Sequence, residues 1–377
     1  MKISRLAVVL VPLFVLSAVG CAEKKVAPPP KPSEAPKPPP AEPKPSEPRA
    51  AKECAGPLEL SPAQELKFGD RAATLSGYKL AFTDKDADGA LVLGVLGPIN
   101  EDSGENVLAL RKYVKFFQEQ KADGIVVTGD VGEVADGIAR VLKMLAESKL
   151  PVFVITGNRE CRADFTDGVN AAKKDFANIV NMNEVRVVEF PEATLVSLPG
   201  YHNPEYVHCQ AGCIYYKSTL DEVVKAAKEA KSPAVLISHG PPKGTGALAL
   251  DYDKNGNQGN EEINKAIKAG GIAYGVFSNF KEAGGSATVD AEGTAAVKEG
   301  EAAKSLFLNP GPADTVGWEM NDKVKSVGMA SLLTFKDGAA SFKVHRLAAM
   351  TKAEKAEAKK LNPPEREAPK DAEAPKK

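Results

Sequence analysis

This chain lacks a dominant charge. Its 377 residues carry 49 Lys and Arg against 50 Asp and Glu, a net charge near -1 with a pI near 6.5. No global field exists to hold a polyanion, and no local basic patch stands out, so nucleic acid is not an expected partner. The chain also lacks a long apolar run. The longest, Leu6 to Val19, is too short to span a bilayer comfortably. No Walker loop, GxSxG elbow or dinucleotide fingerprint occurs, which removes the commonest nucleotide-binding and serine-hydrolase readings. Cysteine is scarce, at five. What is present, a hydrophobic share of 43%, describes a globular body with appendages.

Those appendages lie at the ends. Lys2 and Arg5 precede the apolar run, which stops at Gly20-Cys21, the layout of a secretory signal with small residues before its cleavage point. Ala18-Val19-Gly20-Cys21 resembles the lipobox of bacterial lipoproteins, with Ala18 in place of the usual Leu. The resemblance implies that Cys21 is lipidated and that the protein is an exported cell-envelope lipoprotein. Ala22 after the Cys implies sorting to an outer membrane or the periplasmic face. Eleven of the 28 prolines fall between Pro28 and Pro48, a stretch with nothing to bury that reads as a tether. After Met350 the chain returns to Lys, Glu, Ala and Pro, too charged to pack, although its first part could be a fraying helix. The expected organisation is a lipoprotein signal over 1–20, a disordered tether over 21–53, one folded domain over 54–350 and a charged low-complexity tail over 351–377.

Without Cys21, four cysteines remain: Cys54, Cys161, Cys209 and Cys213. An even number in an exported chain predicts disulfides. Cys209 and Cys213 could bridge locally and leave Cys54 with Cys161, but four cysteines allow three pairings and the sequence does not choose. A zinc site is the weaker rival, because the second thiol pair lacks metal-like spacing.

Within the body, Val- and Ile-rich runs predict strands at Ala90 to Leu96, Gly124 to Thr128, Pro151 to Thr156, Val185 to Glu189, Ala193 to Leu198, Ala234 to Ser238 and Ile272 to Phe277. Helical stripes lie between several of them: Val107, Leu110, Val114, Phe117; Ile138, Val141, Leu142, Leu145; Leu220, Val223, Val224, Ala227; Ile263, Ala266, Ile267. This alternation predicts a layered α/β domain. Ala330 to Phe335 and Ala339 to Val344, joined through Lys336-Asp337-Gly338, predict a closing antiparallel hairpin and hence a mixed sheet. Polar residues cluster just after the strands, where open α/β sheets gather ligands: Gly129-Asp130, Gly157-Asn158-Arg159-Glu160 and His239-Gly240-Pro241-Pro242.

With the late Leu308-Asn309-Pro310-Gly311, this ordered set resembles the calcineurin-like metallophosphoesterases over roughly Leu91 to Val344. The resemblance implies a four-layer αββα sandwich with mixed sheets around two metal ions that clamp phosphate and activate water. It implies that Asp130 is the bridging carboxylate, Asn158 an amide ligand and His239 an imidazole ligand. The rest of the motif is damaged. Gly97-Pro98-Ile99-Asn100 stands where an Asp-x-His belongs, leaving Asn100 as the one potential donor there. Arg159 replaces the His of a Gly-Asn-His; it can grip phosphate but cannot protonate a leaving group. Gly275-Val276-Phe277-Ser278 replaces a Gly-His-x-His and carries no imidazole.

Three functions follow in order. The first is a membrane-anchored relative with a degenerate metal centre, hydrolysing weakly or not at all, that recognises phosphate or one divalent transition metal near Asp130, Asn158, Arg159, His239 and Lys243. The second is an active phosphoesterase using one metal or substitute ligands such as Asn100, Asp102 or His202. The third is an envelope interaction protein that uses the fold as a rigid body. His208 and His345 receive no role.

A second cation motif is separate. Asp251, Asp253, Asn255, Gly256, Asn257 and Glu262 occupy the ligand and turn positions of a twelve-residue calcium loop, without an entering helix. Calcium and a solvated turn are its two readings. Asp84-Lys85-Asp86-Ala87-Asp88-Gly89 begins the same way but reaches Val95 at position twelve, and predicts a hairpin turn.

Overall fold

Runs of Val, Ile and Leu without polar interruption form strands covered on both faces, and here they build two sheets. A computed structural model describes residues 52–83 and 88–364. The signal segment, Cys21, nearly all of the tether, Asp84 to Ala87 and the far end of the charged tail lie outside the described residues. Among the described residues no helix is long and apolar enough to cross a membrane.

The six-stranded sheet runs in the order Ala339–Arg346, Met329–Lys336, Ala90–Leu96, Gly124–Val127, Val152–Val154, Ile179–Asn181. Its last four strands are parallel, and the hairpin is antiparallel. The ten-stranded sheet has a parallel centre of Thr194–Leu198, Ala234–Ser238, Tyr274–Val276 and Leu306–Asn309, flanked by antiparallel strands on both sides. Side chains from both sheets meet in one apolar layer. Phe82 stacks on Phe190 with centroids 4.7 Å apart, and Phe153 from the other sheet meets both edge-on. Each such ring pair contributes about 1 kcal/mol beyond its buried area.

Helices cover the outer faces. On the six-stranded sheet lie α1 (Gly104–Glu119), α2 (Ala135–Ala146) and α3 (Arg162–Lys173). On the ten-stranded sheet lie α4 (Lys217–Glu229) and α5 (Glu261–Gly270). This is the αββα layering expected from the sequence. The four helical stripes became α1, α2, α4 and α5, because each apolar stripe covers a sheet.

Other elements were not anticipated. Helix α3 buries only Phe165, Gly168, Val169 and Ala172, too thin a stripe to recognise. The antiparallel meander Gln64–Phe68, Arg71–Ser76, Lys79–Phe82 extends the ten-stranded sheet. The opening of the charged tail is helical, as the sequence allowed, but docked and not frayed: Lys352–Leu361 forms helix α6 against α1. Its charges do not prevent packing because its two acids pair with basic residues of α1. Glu354 meets Lys112 at 2.6 Å, and Thr351 and Glu354 close a capping box. Ala358 is buried, and a Cβ on Gly104 would lie 1.8 Å from the Ala358 carbonyl oxygen. Asn362 Oδ1 then accepts the Gly104 N–H at 2.7 Å, satisfying an otherwise unpaired donor at the start of α1.

The cysteines pair as Cys54–Cys213 and Cys161–Cys209, with Cα separations of 5.4 and 5.3 Å. The local Cys209–Cys213 bridge is not formed. Cys213 backs onto Gly200 and Tyr201, while Cys209 faces the loop that carries Asn158.

Candidate metal and phosphate site

Asp130, Asn158 and His239 come from three strand ends and two sheets, and the fold brings them together. Asp130 follows the strand Gly124–Val127 in a left-handed turn, φ 55°. Its Oδ1 accepts the backbone N–H groups of Asn158 and Arg159, both at 3.1 Å. Gly157 is required by this approach: a Cβ there would sit 2.3 Å from Asp130 Oδ1 and 2.9 Å from His239 Nδ1.

His239 is fully buried after the strand Ala234–Ser238. Its Nδ1 lies 2.9 Å from the Thr128 carbonyl. A carbonyl only accepts, so the ring proton belongs on Nδ1 and the Nε2 lone pair points away. Nε2 then faces Asn158 Oδ1 and Asn279 Oδ1, each at 3.0 Å, and Asp130 Oδ1 at 3.5 Å. The amides are oriented by their other ends: Asn158 Nδ2 donates to the Tyr206 carbonyl at 2.7 Å, and Asn279 Nδ2 to the Tyr201 hydroxyl at 3.0 Å. Four electron-pair donors therefore converge with no proton between them. A proton or a cation resolves that conflict.

Asn279 had no part in the motif reading. Its strand, Tyr274–Val276, places Val276 in the core and Ser278 behind His239, where Ser278 Oγ donates to the Thr128 carbonyl at 3.2 Å. The backbone N–H groups of Ser278 and Asn279 both donate to the His239 carbonyl, and this turn delivers the Asn279 amide. Glu160 was likewise given no role. Fully buried, it accepts the N–H groups of Val131 at 2.6 Å and Gly157 at 2.9 Å, tying together the two loops that carry Asp130 and Asn158. Burial, and then the nearby Asp130 charge, push its carboxyl up to about 8.

Other expected residues are committed elsewhere. Arg159 pairs with Glu133, leaving its buried Nε without a partner. Lys243 Nζ donates to the Asn257 carbonyl at 2.6 Å, and the Asp102 carboxylate pairs with Arg140 at 3.3 Å. Asn100 does reach the site by its backbone, donating its N–H to the Asp130 carbonyl at 2.7 Å, but its side-chain amide donates to Asp314. His202 packs on Tyr201 with centroids 4.5 Å apart. Burial, then Lys243, lower its imidazole pKa. The His208 backbone N–H caps the Asn158 carbonyl at 2.9 Å.

The calcium loop is not assembled. Asp251 is fully buried and spends its carboxylate on the N–H groups of Gly244 and Gly259 and on the Asn257 amide. Asp253 and Asn255 close the turn of a short hairpin, Tyr252–Asp253 against Gly256–Asn257. Glu262 points along α5 to Lys265 at 2.6 Å. Those donors serve backbone turns, and they do not face one point.

Among the described residues no group of three or more His, Cys, Asp or Glu side chains could hold a metal ion. The donors around His239 Nε2 fit one cation only if amide oxygens count, with one imidazole, one carboxylate and two amides. At the first position of a two-metal centre Pro98 has no donor, and Asn100, whose Nδ2 bonds Asp314, offers a single amide oxygen.

Residues 102–277 match the family described as calcineurin-like phosphoesterase. No curated protein matches the chain. Among solved structures it is similar to TT1561 of Thermus thermophilus, at 15% identity and a TM-score of 0.47 over 68% of this chain and 99% of that one. It is also similar to GAP50, the anchor in the inner membrane complex of Plasmodium, at 12% identity and a TM-score of 0.41 over 76% and 99% of the two chains. A dimetal phosphatase from Danio rerio aligns at 10% identity and a TM-score of 0.41 over 68% and 99%. The segment 102–277, which matches the calcineurin-like phosphoesterase family, lies within two facing mixed sheets with helices outside.

Proposed function

We propose that this metallophosphoesterase-like domain binds a phosphate group beside at most one divalent cation and hydrolyses esters weakly or not at all. We also propose that Cys21 anchors it by lipid to the cell envelope. The observation that carries the reading is the asymmetry of the site. Oxygens of Asp130, Asn158 and Asn279 surround the His239 Nε2 lone pair, while the place of a first cation offers one amide oxygen, on an Asn100 whose Nδ2 bonds Asp314.

Asp130, Asn158, His239 and Asn279 would hold the cation, which supplies Lewis acidity toward a phosphoryl oxygen. Glu160 keeps the two loops at fixed spacing through its paired backbone acceptances. Arg159 can stabilise phosphate charge but cannot protonate a departing oxygen. With no second cation to clamp an attacking hydroxide, turnover is expected orders of magnitude below that of a complete centre. The role of Asn279 favours a second reading, an active one-metal phosphoesterase with substitute ligands.

One experiment separates them. Metal content is measured after loading with manganese, zinc or iron, and phosphomonoesters and phosphodiesters are assayed on the wild type, Asp130→Ala and His239→Ala. Up to one equivalent of metal with negligible turnover supports the binding reading. Robust metal-dependent turnover lost in both variants supports the active one. A Cys21→Ser chain that still fractionates wholly with membranes would refute the lipid anchor.

A further inference from the structure

The residue beside Asn100 is a buried acid that holds a lysine. Asp314 is 1% exposed. Its Oδ2 accepts the Asn100 amide and lies 3.5 Å from Lys281 Nζ, while its Oδ1 accepts from Trp318 Nε1 at 3.2 Å and from the Val316 N–H at 3.3 Å. Lys281 also lies 4.3 Å from the centroid of the Trp318 ring, and its side chain is 14% exposed. Asp314 thus spreads its charge over four donors. The Lys281 ammonium has no other hydrogen-bond or ion-pair partner among the described residues, so most of its donor capacity is unspent. Both neighbours of this cluster belong to the site: Asn100 donates its N–H to the Asp130 carbonyl, and Lys281 lies two residues beyond Asn279.

We infer that the Lys281 ammonium, steered by Asp314 and the Trp318 ring, replaces the missing first cation as a built-in positive charge that receives an oxygen of a phosphate monoester or free phosphate. The inference rests on the proposed phosphate-binding reading and deepens it. A metal ion at this position would have to displace a lysine already neutralising the nearest carboxylate, and beside a shared Asp130 it would gain the Asn100 amide oxygen. An ammonium needs neither a ligand shell nor metal supply, and it binds phosphate as a point charge. Asn100 adds an acceptor: its Oδ1 is buried without a partner, suited to the P–OH of a monoprotonated phosphate.

The test is calorimetric titration of the full chain with inorganic phosphate in chelator, so that no cation at His239 contributes. The wild type should bind. Lys281→Met should weaken binding at least tenfold and Lys281→Arg less than threefold. Lys281→Met/Asp314→Asn, which leaves no buried charge unpaired, should be as weak as the single variant and replaces it should that one fail to fold. Manganese loading of the wild type should stop at one equivalent. Wild-type phosphate affinity in folded Lys281→Met or in the double variant overturns the inference, as does a second bound manganese or an absence of phosphate binding in chelator. Metal content at His239 is read separately, so a site there that takes up no cation leaves this result interpretable.

Discussion

The two disulfides make a quantitative prediction possible. Cys54–Cys213 closes a sequence separation of 159 and Cys161–Cys209 one of 48, nested inside it. Cross-linking removes loop-closure entropy from the unfolded chain, by about 5 kcal/mol for the outer loop and about 4 kcal/mol for the inner one at 25 °C. The nesting trims the outer value slightly, since an intact inner bridge shortens the path around the loop. Cys54→Ser/Cys213→Ser and Cys161→Ser/Cys209→Ser should therefore each lower unfolding stability by several kcal/mol, with the outer pair costing more. The two variants should also differ locally. Cys161 follows Glu160, and Cys209 follows His208, whose N–H caps the Asn158 carbonyl. Only the inner pair should loosen the Asn158 loop, seen as faster amide exchange at residues 157–160. Urea denaturation and native mass mapping are the assays. Four alkylatable thiols in native protein, or a loss below about 1 kcal/mol for both variants, would refute the reasoning.

Two further predictions concern the same centre. Gly157→Ala places a methyl 2.3 Å from Asp130 Oδ1; it should cost about 1–3 kcal/mol by overpacking and abolish metal retention, measured by melting and metal analysis. Glu160 sets the pH response. Its folded carboxyl is raised from 4.5 to about 8, so the folded chain holds an extra proton in that window and stability falls as pH climbs through it. His202 and His208 are lowered from 6.5 and act oppositely, but only up to that value. Between pH 7 and 8 the decline should thus belong to Glu160, and Glu160→Gln should flatten it; an unchanged slope in that variant would show that the acid is not the source.

How legible the molecule was depended on whether a residue's partners were local. Gly124 to Thr128 was readable as a strand because both its faces are covered, which forces an unbroken apolar run. Helices α1, α2, α4 and α5 announced themselves by stripes, while α3 and the Gln64 to Phe82 meander bury too little apolar surface each to do so. Asp130, Asn158 and His239 could be singled out because each follows a strand, and the fold brings them together. Asn279 and the Asp314–Lys281 pair were not picked out, since what marks them is contact between segments far apart in sequence. The calcium pattern shows a related limit: spacing records which carboxylates exist, and it cannot record that Asp251 already serves Gly244 and Gly259. The tail after Met350 was misjudged because its charges find partners on α1.

Asp130 and Asn158 belong to the six-stranded sheet, whereas His239 and Asn279 belong to the ten-stranded one. Whatever lodges among these four is a rivet through a seam. Its binding energy resists the sliding of one half of the sandwich over the other, a motion that the greasy, non-directional layer between the halves opposes only weakly. Occupancy of so small a pocket is thereby converted into the mechanical stiffness of the two sheets it joins.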